Sequence, residues 1–164
     1  MQNLSLAAGF DASQYAVRVN LDGLTHEQSL VRPEPGGNCV NWIAGHILVA
    51  RGSILKRLGG EPHLEGEEAG LYGRGAETFG DGEGALDIDR LRAGLEATGK
   101  EIATRLRAAD PDLLDAEIDP STLPMPLEEA TVGTLLTFLL FHEGYHVGQL
   151  GLGRRLVGKP GAIG

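Results

Sequence analysis

Two histidines in the segment 141–150 (FHEGYHVGQL) have the spacing of a metal site. His142 and His146 are four residues apart, so on a helix they lie on one face, about one turn apart. Both imidazoles can then reach a single metal ion. The residues on either side are mostly apolar, which predicts a helix that packs on several sides. Two buried imidazoles are costly to desolvate, and a shared cation is one of the few arrangements that satisfies both rings.

The same pair completes the pattern H-E-x-x-H, which is the zinc-binding motif of many metalloproteases. Those enzymes take a third ligand, a glutamate or a histidine, from beyond the motif helix. No Asp, Glu or His follows His146 in this sequence. We therefore predict that the chain is not a protease and that the third ligand comes from an earlier helix.

His46 is the histidine best placed to be that third ligand, because it stands beside the apolar stripe of a predicted helix. His26 falls in a predicted exposed turn and His63 in a predicted loop, so neither is expected to bind a metal. Three histidine ligands leave a coordination position open, which is the layout of catalytic sites. Neutral imidazoles suit zinc, nickel, iron or copper. Of these divalent transition metals we expect zinc or nickel.

Two further polar residues near the pair are candidate catalytic residues. Glu143 is about 100° round the helix from His142, so it either accepts a proton or orients an imidazole. Gln149 lies one turn beyond His146, where it either contacts a ligand or packs with its amide satisfied. The spacing leaves both alternatives open for each residue.

Four long helices are predicted to position these residues. Their apolar residues recur every three or four positions over 3–22, 39–58, 88–109 and 131–157. No strand-like alternation occurs between them. This pattern predicts an all-α protein with a single domain over residues 1–164, built as a four-helix bundle.

Polar residues mark where the predicted helices begin. Asn38, Asp87 and Thr131 each stand just before an apolar periodic run and are expected N-caps. The segment 25–28 (THEQ) has the capping-box pattern, which predicts a short helical turn after the first long helix.

The second and third long helices, and the third and fourth, are joined by long connections. Residues 59–84 contain nine glycines and many acids, a composition that predicts a long mobile loop, either a solvated link or a lid over a site. The later connection carries Pro120, Pro124 and Pro126 and is expected to be extended.

Charge and composition limit the classes of partner. The net charge is −9, and residues 61–89 hold nine acids against one base. No face is expected to neutralise a nucleic acid. The single cysteine fits a reducing compartment, and neither an export signal nor a membrane span is evident, so we expect a cytoplasmic protein without a membrane partner.

The segment 41–47 (NWIAGHI), followed after a long interval by 142–150 (HEGYHVGQL), resembles the DinB/YfiT-like superfamily of metalloenzymes. The resemblance covers nearly the whole chain. It implies a four-helix bundle with up-down-down-up topology, a divalent metal held by His46, His142 and His146, and a homodimer.

The resemblance also implies a reaction class. Superfamily members with an assigned activity are transferases and isomerases that use thiols such as bacillithiol, mycothiol or glutathione, so a small-molecule thiol and an electrophile are the expected substrates. A bound metal lowers the pKa of a thiol, which agrees with that chemistry. Two alternatives are a non-catalytic metal-binding module for stress response or dimerisation, and a plain bundle whose histidines satisfy one another.

Overall fold

The computed structural model of the protein describes residues 2–34, 36–77, 79, 82–122 and 129–163. Within these ranges the regular structure is helical, and the one β-bridge joins Glu117 to Thr131. The helices are α1 Gln2–Leu21, α2 His26–Ser29, α3 Val40–Arg57, α4 Gly66–Leu71, α5 Ile88–Ala108, α6 Pro111–Asp115 and α7 Val132–Leu156, with a 3-10 helix at Pro120–Thr122. The all-α prediction is confirmed. No helix in the described part of the chain is long and apolar enough to cross a membrane.

The four long helices pack around one another in adjacent pairs. Helix α1 packs against α5 and α7, and α3 packs against the same two helices. Contacts at two separate levels of each pair give the relative directions: α1 runs parallel to α7 and antiparallel to α5, and α3 runs antiparallel to α7. In chain order the four helices therefore run up, down, down and up.

Most of the predicted helix starts are found in the structure. The Thr25 hydroxyl accepts a hydrogen bond from the Gln28 amide in a complete capping box, and the Asp87 and Thr131 side chains cap α5 and α7. The prediction of Asn38 as N-cap is wrong. Helix α3 begins at Val40, so the extended residue before it is Cys39, which makes no side-chain cap hydrogen bond.

The glycine-rich connection is more ordered than its composition predicts. It contains α4, and Leu64, Tyr72 and Phe79 are buried against the core that α3 and α5 form. The Glu68 carboxylate also pairs with Arg90 of α5. A few apolar side chains therefore attach this segment to the bundle despite its many glycines.

The later connection was predicted as extended, but it includes helical turns. Asp110 caps α6 through the Asp112 amide, and Pro120 begins the 3-10 helix. The predicted extended residues Pro124 and Pro126 lie outside the described residues. Helix α6 packs mainly on α7, so this part of the connection contributes to the core.

Candidate metal centre

The structure brings His46, His142 and His146 together although α3 and α7 are far apart in the sequence. The Nε2 atom of His142 lies 3.4 Å from that of His46 and 3.1 Å from that of His146. One ligand atom from each of the three histidines lies within 4.8 Å of the other two. The register of α3 against the antiparallel α7 places His46 at the level of His142 and His146.

His46 is held in one tautomer by the connection that follows α3. Its Nδ1–H donates to the backbone carbonyl of Tyr72 over 2.8 Å, so its Nε2 carries the lone pair that faces the other histidines. The Trp42 ring stacks on the imidazole with centroids 4.8 Å apart, which fixes the plane of the ring.

Tyr72 is itself fixed on three sides. It is fully buried, its hydroxyl donates to the Asn41 side chain, and the same oxygen accepts from the Leu86 amide. Its ring lies against Gly45, where an added Cβ would come within 2.1 Å of a ring carbon. The close approach of the ring to α3 therefore requires glycine immediately before His46.

The two histidines of α7 are held differently from each other. The Nδ1–H of His146 donates to Oε1 of Gln149 over 2.8 Å, so its Nε2 also carries a lone pair toward the cluster. His142 lies beside Phe138, with ring centroids 6.2 Å apart. Its Nδ1 is buried and has no hydrogen-bond partner among the described residues.

Burial lowers the pKa of the two imidazoles on α7. Desolvation, followed by the proximity of His146 and His46, lowers the pKa of His142 to about 4. Desolvation also lowers the pKa of His146, against the opposing effect of its hydrogen bond to Gln149. At neutral pH these rings therefore do not need to lose a proton before they can bind a cation.

The spacing and chemistry of these donors fit a metal ion. Zinc bound to imidazoles at about 2.0–2.1 Å in tetrahedral geometry would place the nitrogens roughly 3.3 Å apart. The two short separations, 3.1 and 3.4 Å, bracket that value. The Nε2 atoms of His46 and His146 both carry lone pairs toward the cluster, an arrangement that a shared cation would stabilise.

Glu143, which follows His142 on α7, forms a buried ion pair with Arg51 of α3, whose guanidinium binds both carboxylate oxygens. The guanidinium donates to Oε2 over 3.0 Å and to Oε1 over 2.6 Å, and the Ser13 hydroxyl also donates to Oε1. Glu143 is only 2% exposed and Arg51 is fully buried. Both carboxylate oxygens are thus occupied by donors from two other helices.

This ion pair belongs to a polar layer that crosses the bundle. Arg51 also donates to the Gln14 side chain of α1 and to the Leu95 carbonyl of α5, where Thr98 lies beside it. One apolar cluster, including Val17, Leu48 and Leu150, packs on one side of the layer. A second, including Phe10, Ile54 and Leu136, packs on the other. The four helices therefore meet at one buried charged level next to the three histidines.

Two residues of this site, Arg51 and Tyr72, were not predicted from the sequence. A signal for Arg51 existed, because its charge interrupts the apolar residues of α3 and the predicted candidate Glu143 is the only acidic residue within α7. No such signal existed for Tyr72, because a backbone carbonyl binds His46. Only the folded connection brings that carbonyl to the ring.

The other two histidines and the two arginines at the end of α7 are not part of the cluster. His26 begins α2, and His63 lines a separate cavity beside α5. Arg154 is buried and donates to the carbonyls of Asn20, Asp22 and Pro160, so its contacts hold chain segments together. Its neighbour Arg155 is exposed and lines a cavity near Gln149.

Comparison with known proteins agrees with this geometry. The family model of the DinB superfamily matches residues 10–150, which include all three histidines. No curated protein matches the chain. With a match over most of its length and the three-histidine cluster formed between α3 and α7, the chain belongs to the DinB superfamily.

Proposed function

We propose that His46, His142 and His146 hold one divalent transition metal ion, zinc or nickel, and that the protein is a transferase using a low-molecular-weight thiol of the bacillithiol, mycothiol or glutathione type. The observation that supports this most is the convergence of three Nε2 atoms, with His46 and His146 held in the metal-binding tautomer by their Nδ1–H donors. Three protein ligands leave a position free for a substrate atom.

A divalent metal at such a site supplies Lewis acidity that lowers the pKa of a thiol. The protein's own contribution is to position the ligands. The Tyr72 carbonyl and Gln149 each fix one imidazole, and Trp42 restricts the plane of His46. Removal of a hydrogen-bond partner of a metal-binding imidazole commonly weakens metal affinity by about 10–100-fold.

Glu143 and Gln149 remain the candidate catalytic residues of this proposal. The contacts of Glu143 with Arg51 and Ser13 favour a positioning role for its carboxylate over proton transfer, since accepting a proton would disrupt the ion pair. Gln149 is better placed to meet a substrate, because it is half-buried and lines a cavity while its Oε1 binds His146.

A second candidate function is a non-catalytic metal-binding module that acts in stress response or through dimerisation. The observation in its favour is an apolar surface on α7, where Phe141, Tyr145 and Leu152 are 71%, 61% and 68% exposed. These residues share one helix face, and such faces commonly contact a partner or a second copy. The homodimer is part of this proposal in either function.

Metal content tests the site directly. Elemental analysis of untagged protein, purified without added metal or chelator, is expected to give about one transition metal per chain. His46→Ala and His142→Ala should lose it, whereas the control His63→Ala, outside the cluster, should keep it. Native protein that neither carries metal nor takes up zinc or nickel would overturn the proposal.

Thiol binding separates the two functions. In cobalt-substituted protein, the transferase predicts that at least one low-molecular-weight thiol changes the visible absorption of the metal. If none of the tested thiols changes it while the three-histidine site is fully loaded, the non-catalytic module becomes the better account. If His46→Ala loses both the metal and its function in cells, the metal is required for that function, which supports the transferase.

A further inference from the structure

A cavity of about 500 Å³ lies between the C-terminal half of α7, the start of α3 and the segment before α3. Its volume is in the range of small-molecule sites. The walls are mostly apolar side chains, and they include Val31, Pro33, Ile43, Leu152 and Leu156. Such a lining favours a ligand with an apolar body.

The cavity adjoins the histidine cluster through Gln149. This side chain lines the cavity and also accepts the hydrogen bond of His146 over 2.8 Å. Ile43, on the opposite wall, precedes His46 by about one turn of α3. The end of the cavity formed by Ile43 and Gln149 therefore lies about one helical turn from His46 and His146.

The cavity has a positive group and no acid among its described lining residues. Arg155 lines it. Its guanidinium packs against Gly161 of the C-terminal segment but has no hydrogen bond or ion pair with any described residue. This contrasts with Arg154, whose guanidinium is fully used by backbone carbonyls. In a chain with a net charge of −9, a cavity with only a cationic side chain is suited to an anion.

We infer that this cavity binds the electrophilic substrate, an organic anion with an apolar body whose carboxylate or similar group pairs with Arg155. The thiol cosubstrates are rich in hydroxyl, amine and amide groups, which the apolar walls would leave without partners. The inference rests on the proposed function for the role of the ligand. Binding itself requires no metal and can be measured independently.

The probe pair for the test is 4-phenylbutyrate and its neutral analogue 4-phenylbutan-1-ol, titrated into metal-free native protein by calorimetry. Phenylbutyrate should bind more tightly than the alcohol. Arg155→Met should weaken phenylbutyrate about tenfold and leave the alcohol unchanged. Arg57→Met removes an exposed arginine that does not line the cavity and should change neither.

Several results would overturn the inference. They are no phenylbutyrate binding up to about 5 mM, equal affinity for the acid and the alcohol, or unchanged phenylbutyrate binding in Arg155→Met. Leu152→Asp, at an exposed position on the wall, should also weaken phenylbutyrate. Sedimentation shows whether Leu152→Asp converts a dimer to monomers. If it does, and the native dimer binds no probe, then a second copy of the chain covers the cavity and the inference fails.

Proximity to the metal is tested in loaded protein. Cobalt should broaden the proton signals of bound phenylbutyrate relative to zinc, and Arg155→Met should reduce this effect. If full cobalt occupancy produces no broadening of a bound probe, the cavity does not serve the metal centre. If cobalt does not bind, the proposed function fails, and the metal-free calorimetry still decides whether the cavity binds the anion.

Discussion

The buried pair of Arg51 and Glu143 gives a quantitative prediction about stability. Neither side chain is more than 2% exposed, and the guanidinium binds both carboxylate oxygens. Arg51→Met would leave an uncompensated carboxylate in the core, which lowers the free energy of unfolding by about 3–5 kcal/mol. For a chain of this length such a loss lowers Tm by roughly 6–20 °C.

The double variant Arg51→Met/Glu143→Leu removes both charges and fills similar volumes. Replacing a whole buried ion pair by apolar side chains is often neutral or stabilising, so the double variant should recover most of the loss. The single and double variants are compared by urea unfolding of metal-free protein. Arg90→Met, which breaks the exposed pair with Glu68, is the control and should cost less than about 1 kcal/mol.

Two outcomes would refute this reasoning. One is a cost below about 1 kcal/mol for Arg51→Met, which would mean that the carboxylate is not isolated by burial. The other is a double variant as unstable as the single one. Metal content and the proposed transferase activity of the double variant then address Glu143: retention of both indicates a structural role, whereas loss of activity with metal retained indicates a role in the reaction.

Three further predictions concern the residues around the histidines. Gly45→Ala should lower the free energy of unfolding by about 1–3 kcal/mol, because its Cβ would overlap the fixed Tyr72 ring. The control Gly144→Ala, in open space on α7, should instead raise the free energy of unfolding by about 0.5–1 kcal/mol, and equal effects of the two variants would contradict the packing argument. Gln149→Leu should weaken metal binding about tenfold or more in a competitive chelator titration, and native-like affinity would remove its orienting role. Metal-free protein should lose stability as pH falls from about 6.5 toward 4, because the unfolded chain binds a proton at His142 that the folded chain, with its lowered pKa, does not. In His142→Asn the free energy of unfolding should depend less on pH in this window, and an unchanged dependence would contradict the argument.

The sequence by itself was enough to predict the long helices and the grouping of the three histidines. The three- and four-residue apolar periods, together with caps such as Asp87 and Thr131, fix where the long helices form because they act within a few residues. The pair His142 and His146 is equally local. His46 was predicted because it was the one remaining histidine beside an apolar stripe.

Only the tertiary structure decided how those residues are held. The Tyr72 carbonyl reaches His46 through a connection whose glycine content predicted mobility, and the few buried side chains that anchor it leave no periodic pattern. The partner of Glu143 was decided by the register of α3 against α7, which places Arg51 opposite it. A sequence pattern records which face of a helix is buried, whereas the level at which two helices meet depends on packing between distant parts of the chain.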